Sequence, residues 1–146
     1  MSDADLTHVR TMWADDKASA HLGIECLEVG LEDSPRGPLG HARTRMPVTD
    51  TMVNGHDICH GGYIFTLADS TFALACNAGG ALTVAAGADV TFVTSARHGD
   101  VLLAEARERT TYGRSGVTDV TVTRESDGAV VAEFRGRSRS IKPPTR

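Results

Sequence analysis

The chain has little to offer a nucleic acid, a membrane or a disulfide framework. Its 15 lysines and arginines are outnumbered by 19 aspartates and glutamates, leaving a net charge of −4. That balance argues against nucleic-acid binding through a basic surface. No run approaches the ~18 apolar residues of a membrane span. The first ten residues, MSDADLTHVR, open acidic and polar, so no secretory signal is expected. Three cysteines, Cys26, Cys59 and Cys76, are odd in number and irregularly spaced, which argues against a disulfide scaffold and for a reducing, cytoplasmic setting. Internal repeats and low-complexity segments are also missing. What is present is an ordinary globular composition: 146 residues, 40% hydrophobic and 23% charged, enough for one domain over 1–146 with its own core.

Local patterns divide the chain. The first twenty residues lack Gly and Pro, and Val9, Met12 and Trp13 fall at helical spacing, predicting a short leading helix. HLGIECLEVGLED alternates loosely and reads as a strand; GHARTRMPV is a second, with the turn SPRGPLG between them. A long helix is predicted over roughly His60 to Ala78, stopping at Gly79-Gly80. Its apolar residues lie on more than one side, and a helix apolar nearly all round is buried nearly all round. Four strands follow: ALTVAAGADVTFV, VLLAEARERTTY, VTDVTVTRE and AVVAEFRGRSRSI, before KPP ends the domain. The turn-like TSARHGD, GRSG and SDG separate them. The economical arrangement is an α+β fold, an antiparallel sheet wrapped around one central helix.

The stretch NGHDICHGGYIFTLADSTFALACN, residues 54–77, concentrates the chemistry. Asn54, His56, Asp57, Cys59 and His60 crowd in front of Gly61-Gly62, and a single carboxylate, Asp69, sits within the apolar helix. The Asn-Gly-His, Cys-His-Gly-Gly and Leu-Ala-Asp pieces and their spacing closely resemble the signature of the PaaI-type thioesterases. These are hotdog-fold proteins associated with phenylacetate degradation. The resemblance implies a hotdog fold and hydrolysis of acyl-coenzyme A thioesters, phenylacetyl and hydroxyphenylacetyl types among them. It also implies a homodimer with shared active sites, two of which make a homotetramer, and it places Asn54, Gly61 and Asp69 in the active site.

Thioester hydrolysis needs the carbonyl oxygen polarised and the carbonyl carbon attacked. Gly61 would open the helix, where N–H groups lack helical partners and the dipole is positive. Its N–H is a candidate oxyanion donor, worth roughly 3–4 kcal/mol by analogy with other such donors. The plainer reading is that Gly61 and Gly62 only permit a tight turn into the helix. Asp69 lies eight residues on, about 12 Å along the axis, too far to share one carbonyl with Gly61 of the same chain. Two antiparallel helices across a two-fold axis would bring each carboxylate to the other's N-terminus. Apolar neighbours should raise its pKa, and it could serve as general base or nucleophile. The alternative is a buried acid that only fixes a subunit interface.

Asn54 could hold the attacking water or the thioester oxygen, although Asn-Gly is more often simply a turn. His60 and Gly62 beside the helix start, and Ser70 and Thr71 after Asp69, are candidate substrate contacts. Arg97 and Arg114 are candidate donors to the coenzyme A phosphates; the row Arg135, Arg137, Arg139 shares one strand face and reads more simply as solvated. HDICH has two histidines four apart, a metal spacing only within a helix, so no metal and no cofactor is expected. The preferred reading of these side chains is that they pin the loop and cap the helix. Two other functions compete: a hotdog dehydratase or hydratase, for which His56 or His60 would be needed, and a non-catalytic acyl-CoA sensor. About twenty residues precede the first strand, fewer than the DNA-binding domain that such sensors carry would need.

Overall fold

The computed structural model describes residues 5–141; the KPP stop predicted at the C-terminus lies outside them. Helices α1 (Thr7–Ala14) and α2 (Lys17–His21) lead into strands β1 (Glu25–Glu32) and β2 (Leu39–Pro47). After a single 3₁₀ turn come the long helix α3 (Gly61–Asn77) and strands β3 (Thr83–Phe92), β4 (Val101–Tyr112), β5 (Ser115–Arg124) and β6 (Val130–Ser140). The strands form one antiparallel sheet in the order β1-β2-β4-β5-β6-β3. The predicted wrapping holds, because α3 packs against every one of the six strands.

Period-two patterning aims one face of the sheet at the helix. Ala42, Thr44 and Met46 of β2, Leu102, Ala104 and Ala106 of β4, and Val120 and Val122 of β5 are buried beneath α3. Phe72 of α3 is 1% exposed and packs on Phe134 of β6 with ring centroids 5.7 Å apart. Burying such a side chain stabilises by about 1.5–3 kcal/mol. Its ring fits because position 136 is glycine: a Cβ there would lie 2.6 Å from Phe72 Cε1. The inner hydroxyl of Thr44 meets that of Thr71 at 2.7 Å, so a polar pair deep in the core is satisfied.

Three expectations need correction. The leading helix is two helices, broken at Asp15–Asp16, because the Asp16 side chain caps the second by accepting the Ser19 N–H at 3.0 Å. The first strand begins only at Glu25, and a bulge between Cys26 and Glu28 breaks its alternation, leaving Leu27 42% exposed. The long helix is not buried all round. Gly62 is exposed, and Thr66, Asp69 and Ala73 are only half-buried. At spacings of four, three and four these form one strip that the sheet does not reach.

Candidate active site

The loop before α3 is built by backbone and Asn54 hydrogen bonds. Asn54 N–H donates to Ile58 O at 2.8 Å, Cys59 N–H to Ala96 O at 2.7 Å and His60 N–H to Met52 O at 2.7 Å. The Asn54 Oδ1 accepts from the N–H groups of His56 (2.9 Å) and Ile58 (3.3 Å). Two donors fix which end of the amide is oxygen and leave Nδ2 as the group available outside the loop. Asn54 is thus a turn residue by its oxygen, and it also lines a cleft.

That cleft, about 390 Å³, is walled by Ile58, Cys59, Ile64, Phe92 and Val93, with Asn54, Gly61, Thr94 and Ser95 at its polar edge. Gly61 opens α3 at this spot. His60 holds the cap position, but its side chain makes no capping hydrogen bond, so the predicted side-chain cap is absent. The N–H groups of Gly61 and Gly62 therefore lack a side-chain cap, while Tyr63 N–H donates to His60 O at 3.1 Å, and of the three residues Gly61 lines the cleft. Glycine at 61 has a second reason, which sequence reasoning missed: a Cβ there would lie 2.9 Å from Cζ of Phe92. Gly62 meets nothing within 4 Å.

Asp69 lies on the uncovered strip. Among the described residues no donor reaches its carboxylate, and burial first, then the charge of Asp16, pushes its pKa up from the ordinary carboxylate range. Phe65, one turn earlier, stacks edge-on against Phe134 at 5.4 Å and forms an apolar neighbour.

A thioesterase superfamily model matches residues 56–131, spanning most of the loop, the helix and strands β3, β4 and β5. The chain is 35% identical to the acyl-coenzyme A thioesterase PaaI of Escherichia coli over 141 residues, covering 97% of this chain and 94% of that one. This chain belongs to the thioesterase superfamily. The solved structure of the E. coli PaaI protein superposes with a TM-score of 0.82 at 34% identity, covering 94% of this chain and 97% of that one. A putative esterase of Archaeoglobus fulgidus is 35% identical over 137 residues, or 92% of this chain and 83% of that relative. The fold is the hotdog, the resemblance to PaaI-type thioesterases holds, and the enzyme is a thioester hydrolase.

The thioesterase spends several of its candidate site residues elsewhere. Thr71 is fully buried, its hydroxyl donating to Leu67 O at 2.7 Å, so it faces the core rather than the strip with Asp69. Ser70 is 8% exposed and bonded to Ser19 of α2 at 2.7 Å. Arg97 is exposed in the loop whose Ser95 lines the cleft, and its N–H bonds Asp100 Oδ2 at 2.8 Å. Arg114 sits on the β4–β5 turn, where its carbonyl accepts from Ser140 N–H at 2.7 Å. Ser140 pairs with Thr83 at the start of β3, whereas Phe92 and the cleft lie at its end, about 30 Å away at strand rise. One chain does not bring Arg114 to Gly61. Arg135 is held by Asp119 at 2.7 and 2.8 Å and Arg137 by Asp89 at 3.0 Å, so these two are sheet-face ion pairs.

Among the described residues no three His, Cys, Asp or Glu side chains come together as metal ligands. Cys59 is 5% exposed, and burial, with Asp100 nearby, pushes its thiol up to about 11. A thiol with that pKa is no nucleophile at neutral pH. Dialysis of the thioesterase against a chelator is therefore expected to leave hydrolysis unchanged; loss of activity, restored by a divalent ion, would overturn this reading of the loop.

Proposed function

We propose that this thioesterase hydrolyses aromatic acyl-coenzyme A, of the phenylacetyl and hydroxyphenylacetyl type, to the free acid and coenzyme A. The E. coli relative's name and its place in a phenylacetic acid degradation operon support that substrate class. So does a cleft whose walls are mostly apolar and include the Phe92 ring. The Gly61 N–H polarises the thioester oxygen, the Asn54 amide holds the oxygen or the water, and Asp69 attacks as carboxylate or activates water. Three free thiols fit work in a reducing cytoplasm.

One observation carries the reading. The uncapped start of α3 and the half-buried Asp69, which no donor among the described residues reaches, lie on the same helix about 12 Å apart, and a single thioester cannot touch both. A homodimer in which two copies of α3 run antiparallel places each Asp69 beside Gly61 of the partner subunit. The strip Gly62–Thr66–Asp69–Ala73 is the face such a dimer would cover. The open edge of β3, with Val84, Phe92 and Val93 exposed, continues that surface. Two such dimers make the homotetramer.

The test is complementation. Asp69→Asn and Gly61→Pro homodimers should each be inactive, since proline removes the N–H outright. Subunit exchange between them creates mixed dimers with one intact site, and about half the wild-type activity per mixed dimer should return. If mass spectrometry verifies the exchange and no activity returns, the shared-site arrangement is wrong.

A further inference from the structure

We propose that Asp16, Ser19 and Ser70 form a strut that positions the Asp69 carboxylate, with Asp16 the positioning residue at its outer end. The inference rests on the role given to Asp69 above. Asp16 stands at the junction of α1 and α2, and both of its oxygens are engaged by Ser19: Oδ1 by the N–H at 3.0 Å, Oδ2 by the hydroxyl at 2.6 Å. Ser19 Oγ lies 2.7 Å from Ser70 Oγ. Proton counting sets the direction. Ser19 has one hydroxyl proton and gives it to the carboxylate, so Ser70 must donate to Ser19. The chain runs Ser70 O–H to Ser19 Oγ–H to Asp16, and ends on an anion, which strengthens both links.

Ser19 is 1% exposed and Ser70 8%, so water competes little for either bond. Ser70 is the next residue after Asp69, and holding it fixes the rotation of that turn of α3. The hold is reinforced farther along, where His8 of α1 meets the Asn77 side chain at 3.1 Å. The helical pair α1–α2 is thereby clamped to α3 at Ser70, directly after Asp69, and again two turns later at Asn77. Ser70 has no proton left to offer a substrate, which removes it from the substrate contacts.

Asp16 also acts through its charge. Among the described residues it is the one charge acting on Asp69 from outside α3, and as a like charge it opposes ionisation. On α3 itself Cys76 is the other titratable neighbour; burial above all, with Glu108 of β4 and Asp69 adding to it, pushes its thiol to about 12, so it stays neutral. Position and charge can therefore be separated. Asp16→Asn removes the charge and one of the two acceptor oxygens that Ser19 engages. Ser70→Ala cuts the strut and leaves the charge.

The experiment measures kcat and KM against pH for both variants with phenylacetyl-CoA, and titrates the Asp69 side chain by carboxyl ¹³C NMR. Both variants should lose roughly tenfold in kcat with KM little changed, as a small misplacement of a reacting group does. The acid limb of kcat/KM and the Asp69 titration should both move to lower pH in Asp16→Asn and stay in place in Ser70→Ala. The proposal is overturned if Ser70→Ala keeps wild-type kcat, or if the Asp69 titration in Asp16→Asn does not move. If that titration moves while the acid limb stays and Asp69→Asn remains active, the strut stands and the catalytic role of Asp69 falls. Should Asp16→Asn fail to fold, Ser70→Ala alone decides through kcat.

Discussion

Asp69→Asn is expected to lower turnover by about a thousandfold while the protein folds and assembles as before. Asparagine matches aspartate in shape but neither accepts a proton nor attacks as a carboxylate, and general-base and nucleophilic groups of this kind contribute ~10²–10⁴-fold. The wild-type enzyme should show an acid limb in kcat/KM above the ordinary carboxylate range. Burial first and Asp16 second hold Asp69 protonated to higher pH than a free aspartate. The same shift has a consequence for stability. A carboxyl whose folded pKa is raised binds its proton more tightly in the native state, so ionisation weakens the fold. That penalty is absent below the unfolded value of about 3.9 and complete above the raised folded value. Asp69→Asn should therefore raise Tm at neutral pH, and the gain should vanish as the pH falls through that window. Thermal melts at several pH values check it; an inactive variant with no such gain would mean that the carboxylate is solvated.

Gly40→Ala should be the most damaging single methyl in the chain. Gly40 in β2 presses directly on α3, and a Cβ there would collide with the Ala75 backbone carbonyl. Neither side can give way cheaply. The Gly40 N–H is held by Glu108 Oε1 at 3.1 Å on the neighbouring strand, and Ala75 is a buried residue of an intact helix. Overpacking against backbone exceeds the usual 1–3 kcal/mol for extra core methylenes, so a loss above ~3 kcal/mol is expected. Gly79→Ala is the matching control, since that position is exposed with nothing within 4 Å and lies off the strip given to the dimer. It should change stability by no more than about 0.5 kcal/mol. Urea unfolding of the two variants measures the contrast. A Gly40→Ala protein as stable as the wild type would mean that β2 does not lie against α3 as described.

Much of this was legible because local rules and tertiary contacts agree. The long helix runs Gly61–Asn77, inside the limits that its apolar run and the Gly79-Gly80 stop set. The strand VLLAEARERTTY begins at Val101 and ends at Tyr112, where the Gly113 turn takes φ +59, a conformation glycine adopts without penalty. The errors fall where side chains outvote propensity. A run free of Gly and Pro predicts one leading helix, but the Asp16 carboxylate accepts the Ser19 N–H and starts a second. Cys26 and Glu28 straddle a bulge that period-two reading cannot see.

The sequence by itself determined the fold class and the family, and it singled out the stretch to which the chemistry is assigned above. These depend on periodicity, turn residues and motif spacing, all written along the chain. Only the tertiary structure decided which side of each residue is spent. Thr71 turns its hydroxyl into the core towards Thr44, and Ser70 gives its own to Ser19, fifty-one residues away in the chain. Asp69 is left on the one strip of α3 that the sheet does not cover. Adjacent residues on a helix point about 100° apart, so which faces the core, a neighbouring helix or a partner depends on how the sheet closes around it.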